Sequence, residues 1–75
     1  LMPNPFQNQA VLEVEGKRII DGQIFLYDAQ GHLIQTQEMT DNRTIINRGN
    51  LPAGVYFYQI MDQGKGIVGG KVMMN

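Results

Sequence analysis

Apolar and polar residues trade places in short runs along this chain of 75 residues, and no segment keeps a helical period beyond one turn. From Ala10 to Val14 the alternation is regular. Ala10, Leu12 and Val14 share one face and Glu13 and Glu15 the other, the pattern of a half-buried strand. Gly16-Lys17-Arg18 breaks it, and Ile19 and Ile20 beyond the break are expected to be buried. Asp21-Gly22 signals a turn. Gln23 to Asp28 then carries Ile24, Phe25, Leu26 and Tyr27 without alternation. Such a run predicts a central strand, covered on both faces or lined by an aromatic along its outer side.

Asp28-Ala29-Gln30-Gly31 suits a type I turn, with Asp first and Gly fourth. The strand predicted over 32–39 turns polar at Gln35, Thr36, Gln37 and Glu38, which fits an edge. A turn at Thr40-Asp41-Asn42 leads into a short strand at Thr44, Ile45 and Ile46, closed by Asn47 to Asn50. Leu51-Pro52-Ala53-Gly54-Val55-Tyr56 joins a turn to a β-branched and aromatic run reaching about Met61. A Leu-x-x-Gly-x-Tyr element at a strand start is the form of a tyrosine corner, whose phenol bonds back to the incoming loop. Asp62-Gln63-Gly64 turns the chain into a last strand from Gly66 to Met74, with Gly69-Gly70 as a bulge or tight packing point.

At the other end Pro3 and Pro5 bracket Asn4, so Leu1 to Phe6 reads as an extended entry segment or edge strand. The whole pattern predicts an all-β fold: one domain over residues 1–75, an immunoglobulin-like β-sandwich of about seven antiparallel strands.

Composition narrows the function more by exclusion than by indication. Six basic and seven acidic side chains leave a formal net charge of −1 with no block of either sign, which disfavours nucleic-acid binding through a basic face. No apolar run is long enough to form a transmembrane segment. Residues 1–20 lack the order of a signal peptide. With no cysteine, disulfides, thiolate metal sites and cysteine nucleophiles are excluded together.

His32 is the single histidine and reads as a polar turn residue rather than a metal ligand. Asp21, Asp28, Asp41 and Asp62 each fall at a predicted turn, where Asp bonds its own backbone, so an acid pair is not required to explain them. The chain has no serine, and Gly64-Lys65-Gly66 and Gly69-Gly70-Lys71 lack the spacing of a phosphate loop. Asn42-Arg43-Thr44 matches a glycosylation acceptor, but the turn reading suffices. The expectation is a domain that is not an enzyme and needs no cofactor or metal.

Four motifs in register point further. Leu1-Met2-Pro3-Asn4-Pro5-Phe6, Tyr27-Asp28-Ala29-Gln30-Gly31-His32-Leu33-Ile34, the Leu51–Gly54–Tyr56 element and Lys71-Val72-Met73 follow one another at the spacing of a known family. Together the chain resembles the type A C-terminal sorting domain of type IX secretion in Bacteroidetes, the Por secretion tail.

The resemblance implies a domain at the C-terminus of a larger secreted protein, covalently fused to an N-terminal cargo. It implies passage through the periplasm to the cell surface or medium, with the type IX outer-membrane translocon and its shuttle protein as partners. A sortase-like cysteine peptidase would then remove the tail. On this reading Gly69, Gly70, Lys71, Val72, Met73 and Met74 are the residues the translocon recognises. Pro3, Asn4 and Pro5 mark the cargo junction, and Gly31, Leu51, Gly54 and Tyr56 are structural. One departure is the ending Met73-Met74-Asn75, where many members carry a terminal lysine or arginine.

The alternative is an immunoglobulin-like accessory module of an extracellular enzyme, binding a glycan or a protein. It requires an exposed aromatic platform, for which Tyr56 and Tyr58, with Tyr27 beside them, are the candidates.

Overall fold

The computed structural model describes residues 8–16 and 18–75, so the entry segment with Pro3, Asn4 and Pro5 lies outside the described residues. Strands with one apolar face must bury it against a second layer, and that requirement sets the architecture. Among the described residues there are six strands: β1 (Gln9–Glu13), β2 (Gly22–Tyr27), β3 (Leu33–Met39), β4 (Arg43–Asn47), β5 (Gly54–Asp62) and β6 (Lys65–Met74). β1 and β4 form a two-stranded antiparallel sheet, and the other four an antiparallel sheet ordered β3-β2-β5-β6. The sandwich is the expected one with six strands in place of seven. The seventh in the sequence-based count is the entry segment, which is outside the described residues.

The core lies between the sheets in two clusters. One gathers Ala10, Leu26, Tyr56, Val72 and Met74, the other Leu12, Ile19, Ile24, Met39, Ile46 and Ile60, and Tyr58 packs against both. β1 and β4 contribute Ala10, Leu12 and Ile46, so each cluster bridges the two layers. β2 is central, as its apolar run predicts. Its even-numbered residues face the core, while Phe25 and Tyr27 stand half-buried on the outer side.

Three local expectations are corrected. Ile19 is buried at 2% exposure, but Ile20 is 62% exposed. Successive side chains of an extended segment point to opposite sides, so the pair cannot both enter the core. Ile19 seats directly over Gly22, where a Cβ would lie 2.6 Å from its Cγ2. Second, of the two readings of Gly69-Gly70, tight packing holds at Gly70 against the Tyr58 ring, while the bulge in β6 falls at Ile67, since Ile60 pairs with Val68 and Met61 with Gly66. The extra residue turns Ile67 onto the second cluster, a gain that Gly69 or Gly70, without side chains, would not bring. β3 does the same at its own edge: Tyr27 pairs with Leu33 and Leu26 with Gln35, and the intervening Ile34 packs on the first cluster. Third, Asp62 does not bond its own turn. Its buried carboxylate accepts the N–H groups of Asp21 at 2.9 Å and Ile20 at 3.4 Å.

The turns follow their residues. The Gly31 N–H bonds the Asp28 carbonyl at 3.0 Å, and Gly31 takes a φ of +88°. Gln63 and Gly64 take φ of 53° and 80° between the paired Asp62 and Lys65, the two-residue hairpin turn with both central φ positive.

Candidate functional site

Tyr56 is a tyrosine corner. Its ring is buried in the first cluster, and its hydroxyl donates to the Pro52 carbonyl at 2.7 Å. Leu51, half-buried, packs against the same cluster, and Gly54 opens β5 at a φ of +149°, a conformation that favours glycine. Arg48 reinforces the loop, its Nε donating to the Leu51 carbonyl at 2.8 Å and a terminal guanidinium nitrogen to the main-chain oxygen of Asn75. The corner therefore holds the end of the last strand. Tyr56 pairs with Val72 and Gly54 with Met74 across β5 and β6, while Arg48 secures Asn75. Gly31 serves a separate turn, whose residues Asp28, Ala29 and Gln30 close a cleft of about 320 Å³ with Leu51, Pro52 and Tyr56.

The six residues singled out on β6 separate into two sets. Val72 and Met74 are core residues, so their side chains are not offered to a partner. Gly70 faces inward under Tyr58, whose ring and hydroxyl would lie 2.8–2.9 Å from a Cβ there. Gly69, Lys71 and Met73 face outward. Along the stretch from Val68 to Lys71 no described strand lies on the far edge of β6, since its pairing among the described residues is with β5 alone.

The outer face of the four-stranded sheet is the part that periodicity did not reveal. Register aligns Leu33, Tyr27, Phe57 and Lys71 in a row across the sheet, and Phe25, Gln59 and Gly69 in the next. Val55 and Met73 pair beside the first row, and Phe57 and Met73 are 40% and 46% exposed. Between the rows lies a depression of about 440 Å³ lined by Tyr27, Phe57, Tyr58, Gln59, Gly69, Gly70 and Lys71. The one signal in the sequence was the unbroken apolar run at Ile24 to Tyr27. The expected platform of Tyr56 and Tyr58 does not form, because Tyr56 is enclosed by the corner and Tyr58 leans inward over Gly70.

The remaining polar groups act structurally. Asn42 ties the segment after β1 to the β3–β4 turn: its Nδ2 donates to the Val14 carbonyl at 2.9 Å, and its Oδ1 accepts the Ile19 N–H at 2.8 Å. Asp28 accepts the N–H groups of His32 at 2.8 Å and Gln30 at 2.9 Å, with His32 Nδ1 3.2 Å from its second oxygen. The His32 backbone bond above all holds the Asp28 carboxyl below its usual range. Among the described residues no group of three or more histidines or carboxylates could hold a metal ion, and no helix is long and apolar enough to cross a membrane.

Comparison with known proteins yields one family. The family model described as the secretion system C-terminal sorting domain matches residues 1–75. No curated protein and no solved structure gives a significant match.

Proposed function

This chain belongs to the secretion system C-terminal sorting domain family, and from that premise we propose that the outward side of β6 is what the type IX machinery reads. The domain is a C-terminal sorting signal for type IX secretion, and its family is a signal family rather than an enzyme family. Such a signal implies a cargo fused on its N-terminal side and export through the periplasm to the cell surface or beyond.

Recognition falls to the outward-facing positions of β6, at Gly69, Lys71 and Met73. The observation that carries this is the anchoring of the strand. The tyrosine corner and Arg48 hold the end of β6, while side chains at alternate positions point away from the core. A receptor can read such a strand by its edge and its outer side chains. The outer-membrane translocon and its shuttle protein are the proposed readers. The Pro3-Asn4-Pro5 segment is the proposed cargo junction and approach for a sortase-like cysteine peptidase, since prolines disfavour helix at such a site. Nothing specific favours the glycan-binding module, since the tyrosine it required is committed to the corner.

An export assay tests the reading. A signal peptide, a fluorescent reporter and residues 1–75 are expressed in a type IX-competent host and in the same host lacking the translocon. Reporter is expected in the medium or on the surface of the first strain and in the periplasm of the second. Periplasmic retention in both, with the domain folded, would overturn it.

A further inference from the structure

We propose that the depression beside Gly69 is a docking notch for an extended apolar segment of the type IX machinery that carries an acidic residue. The proposal rests on the sorting reading above and deepens it by naming where the partner sits and its chemistry.

A two-layer sandwich buries the inner faces of its sheets and ordinarily leaves polar residues outside. Here the outer face of the larger sheet carries Phe25, Tyr27, Val55, Phe57, Met61 and Met73 beside Gln59 and Lys71, with Phe57 and Met73 exposed and the other four apolar residues half-buried. A contiguous exposed apolar surface on a small domain marks an interaction site. Gly69 makes the face concave. It lies opposite Gln59, and a Cβ added there would meet only the Tyr58 carbonyl oxygen, at 3.3 Å. The space above the missing side chain is therefore open, walled by Tyr27 and Phe57, and at about 440 Å³ it has room for a large apolar side chain.

Two features select the occupant. Among the described residues Lys71 is the one charged residue lining the depression, so the complementary group is a carboxylate. The notch also adjoins the stretch of β6 from Val68 to Lys71, along which no described strand lies. A segment extended alongside that stretch would place alternate side chains over the outer face, one of them within reach of Gly69. A sugar fits less well, because a glycan site needs several convergent polar groups and this lining supplies mainly aromatic surface, a glutamine and a lysine.

The test uses the same reporter fusion with Gly69→Val, which fills the notch, Phe57→Thr, which removes a wall, and Lys71→Glu, which reverses the charge. Ile45→Thr, exposed on β4 in the other sheet, is the control. Melting of each purified domain verifies folding. A tenfold or greater fall in exported reporter for the three variants, with Ile45→Thr like wild type and all domains folded, is expected. Wild-type export of all three folded variants, while export remains translocon-dependent, would overturn the notch and leave the sorting reading intact. Failure of the unmodified fusion to be exported would overturn both. A photoreactive benzoyl-phenylalanine at position 57 identifies the occupant. Cross-links to a translocon or shuttle component are expected, and cross-links to the reporter or a second copy of the chain instead would also overturn the proposal.

Discussion

On the inner face of the β5–β6 hairpin, Tyr56, Ile60, Val72 and Met74 are each at most 5% exposed; on the outer face of the same two strands, Phe57 and Met73 stand 40% and 46% exposed. The residue types are alike and the backbone is shared. What differs is the second layer: β1 and β4 cover the inner face, and nothing among the described residues covers the outer one to the same degree. Apolar residues inside are explained by the folding of the domain. Apolar residues outside are not explained by folding, and the proposed docking role is what would account for them. Substitutions on the two faces should therefore separate stability from export, and their effects can be ranked.

The largest effect is expected at Ile60, which has no exposed surface and sits in the second cluster. Ile60→Ala should cost about 2–5 kcal/mol through lost burial and the cavity left behind. Phe57→Thr on the opposite face should cost less than about 1 kcal/mol. Urea midpoints of the two purified variants measure the difference, and equal losses would mean that the outer face is as much a part of the core as the inner one.

The adjacent glycines sharpen the comparison within one strand. Gly70→Ala drives a methyl group into the Tyr58 ring, so that ring must move, and overpacking of this kind costs about 1–3 kcal/mol. Gly69→Ala meets only a backbone oxygen at 3.3 Å. Any loss there should be offset by the better strand propensity of alanine, worth about 0.5–1 kcal/mol. Thermal unfolding of the pair should rank Gly70→Ala well below Gly69→Ala; the reverse order would contradict the inward placement of Gly70.

Tyr56→Phe tests the corner that anchors β6. It removes the bond to the Pro52 carbonyl and keeps the ring, so a loss of about 1 kcal/mol is expected. Amide hydrogen exchange should rise at Val72 and Met74, which pair with Tyr56 and Gly54, more than at Ile24 in the central strand. Uniform protection across these sites would remove the link between the corner and β6.

The smallest effect concerns the turn beside the Tyr27 end of the aromatic row. The Asp28 carboxyl is held below its usual range, so its contribution is fully present above the unfolded value and is lost as pH falls through the folded one. Wild type should therefore lose a small increment of stability relative to Asp28→Ala as the solution is taken from neutral into the acid range. Parallel stability curves for the two proteins would show that the turn bonds do not depend on the charge.

Much of this molecule is dictated by nearest-neighbour chemistry and was legible in the chain. The alternation at Ala10 to Val14, the Asp28–Gly31 turn, the Gln63-Gly64 hairpin and the tyrosine corner depend on residues close in sequence, so their local pattern carries them. The family, too, was legible, since its motifs are local and their spacing is kept over residues 1–75. Interactions that span the chain were not. Asp62 bonds the backbone of Asp21, 41 positions away, and Asn42 bonds Val14, 28 positions away, where the sequence suggested ordinary turn residues. Tertiary structure alone also decided which of Gly69 to Met74 point outward and which complete the core. Removing Lys71 to Asn75 would strip Val72 and Met74 from the first cluster, so only outward-facing substitutions can separate recognition from folding. The reason is physical: a strand's period of two states that successive side chains point oppositely, but which set is buried depends on the layer that covers it.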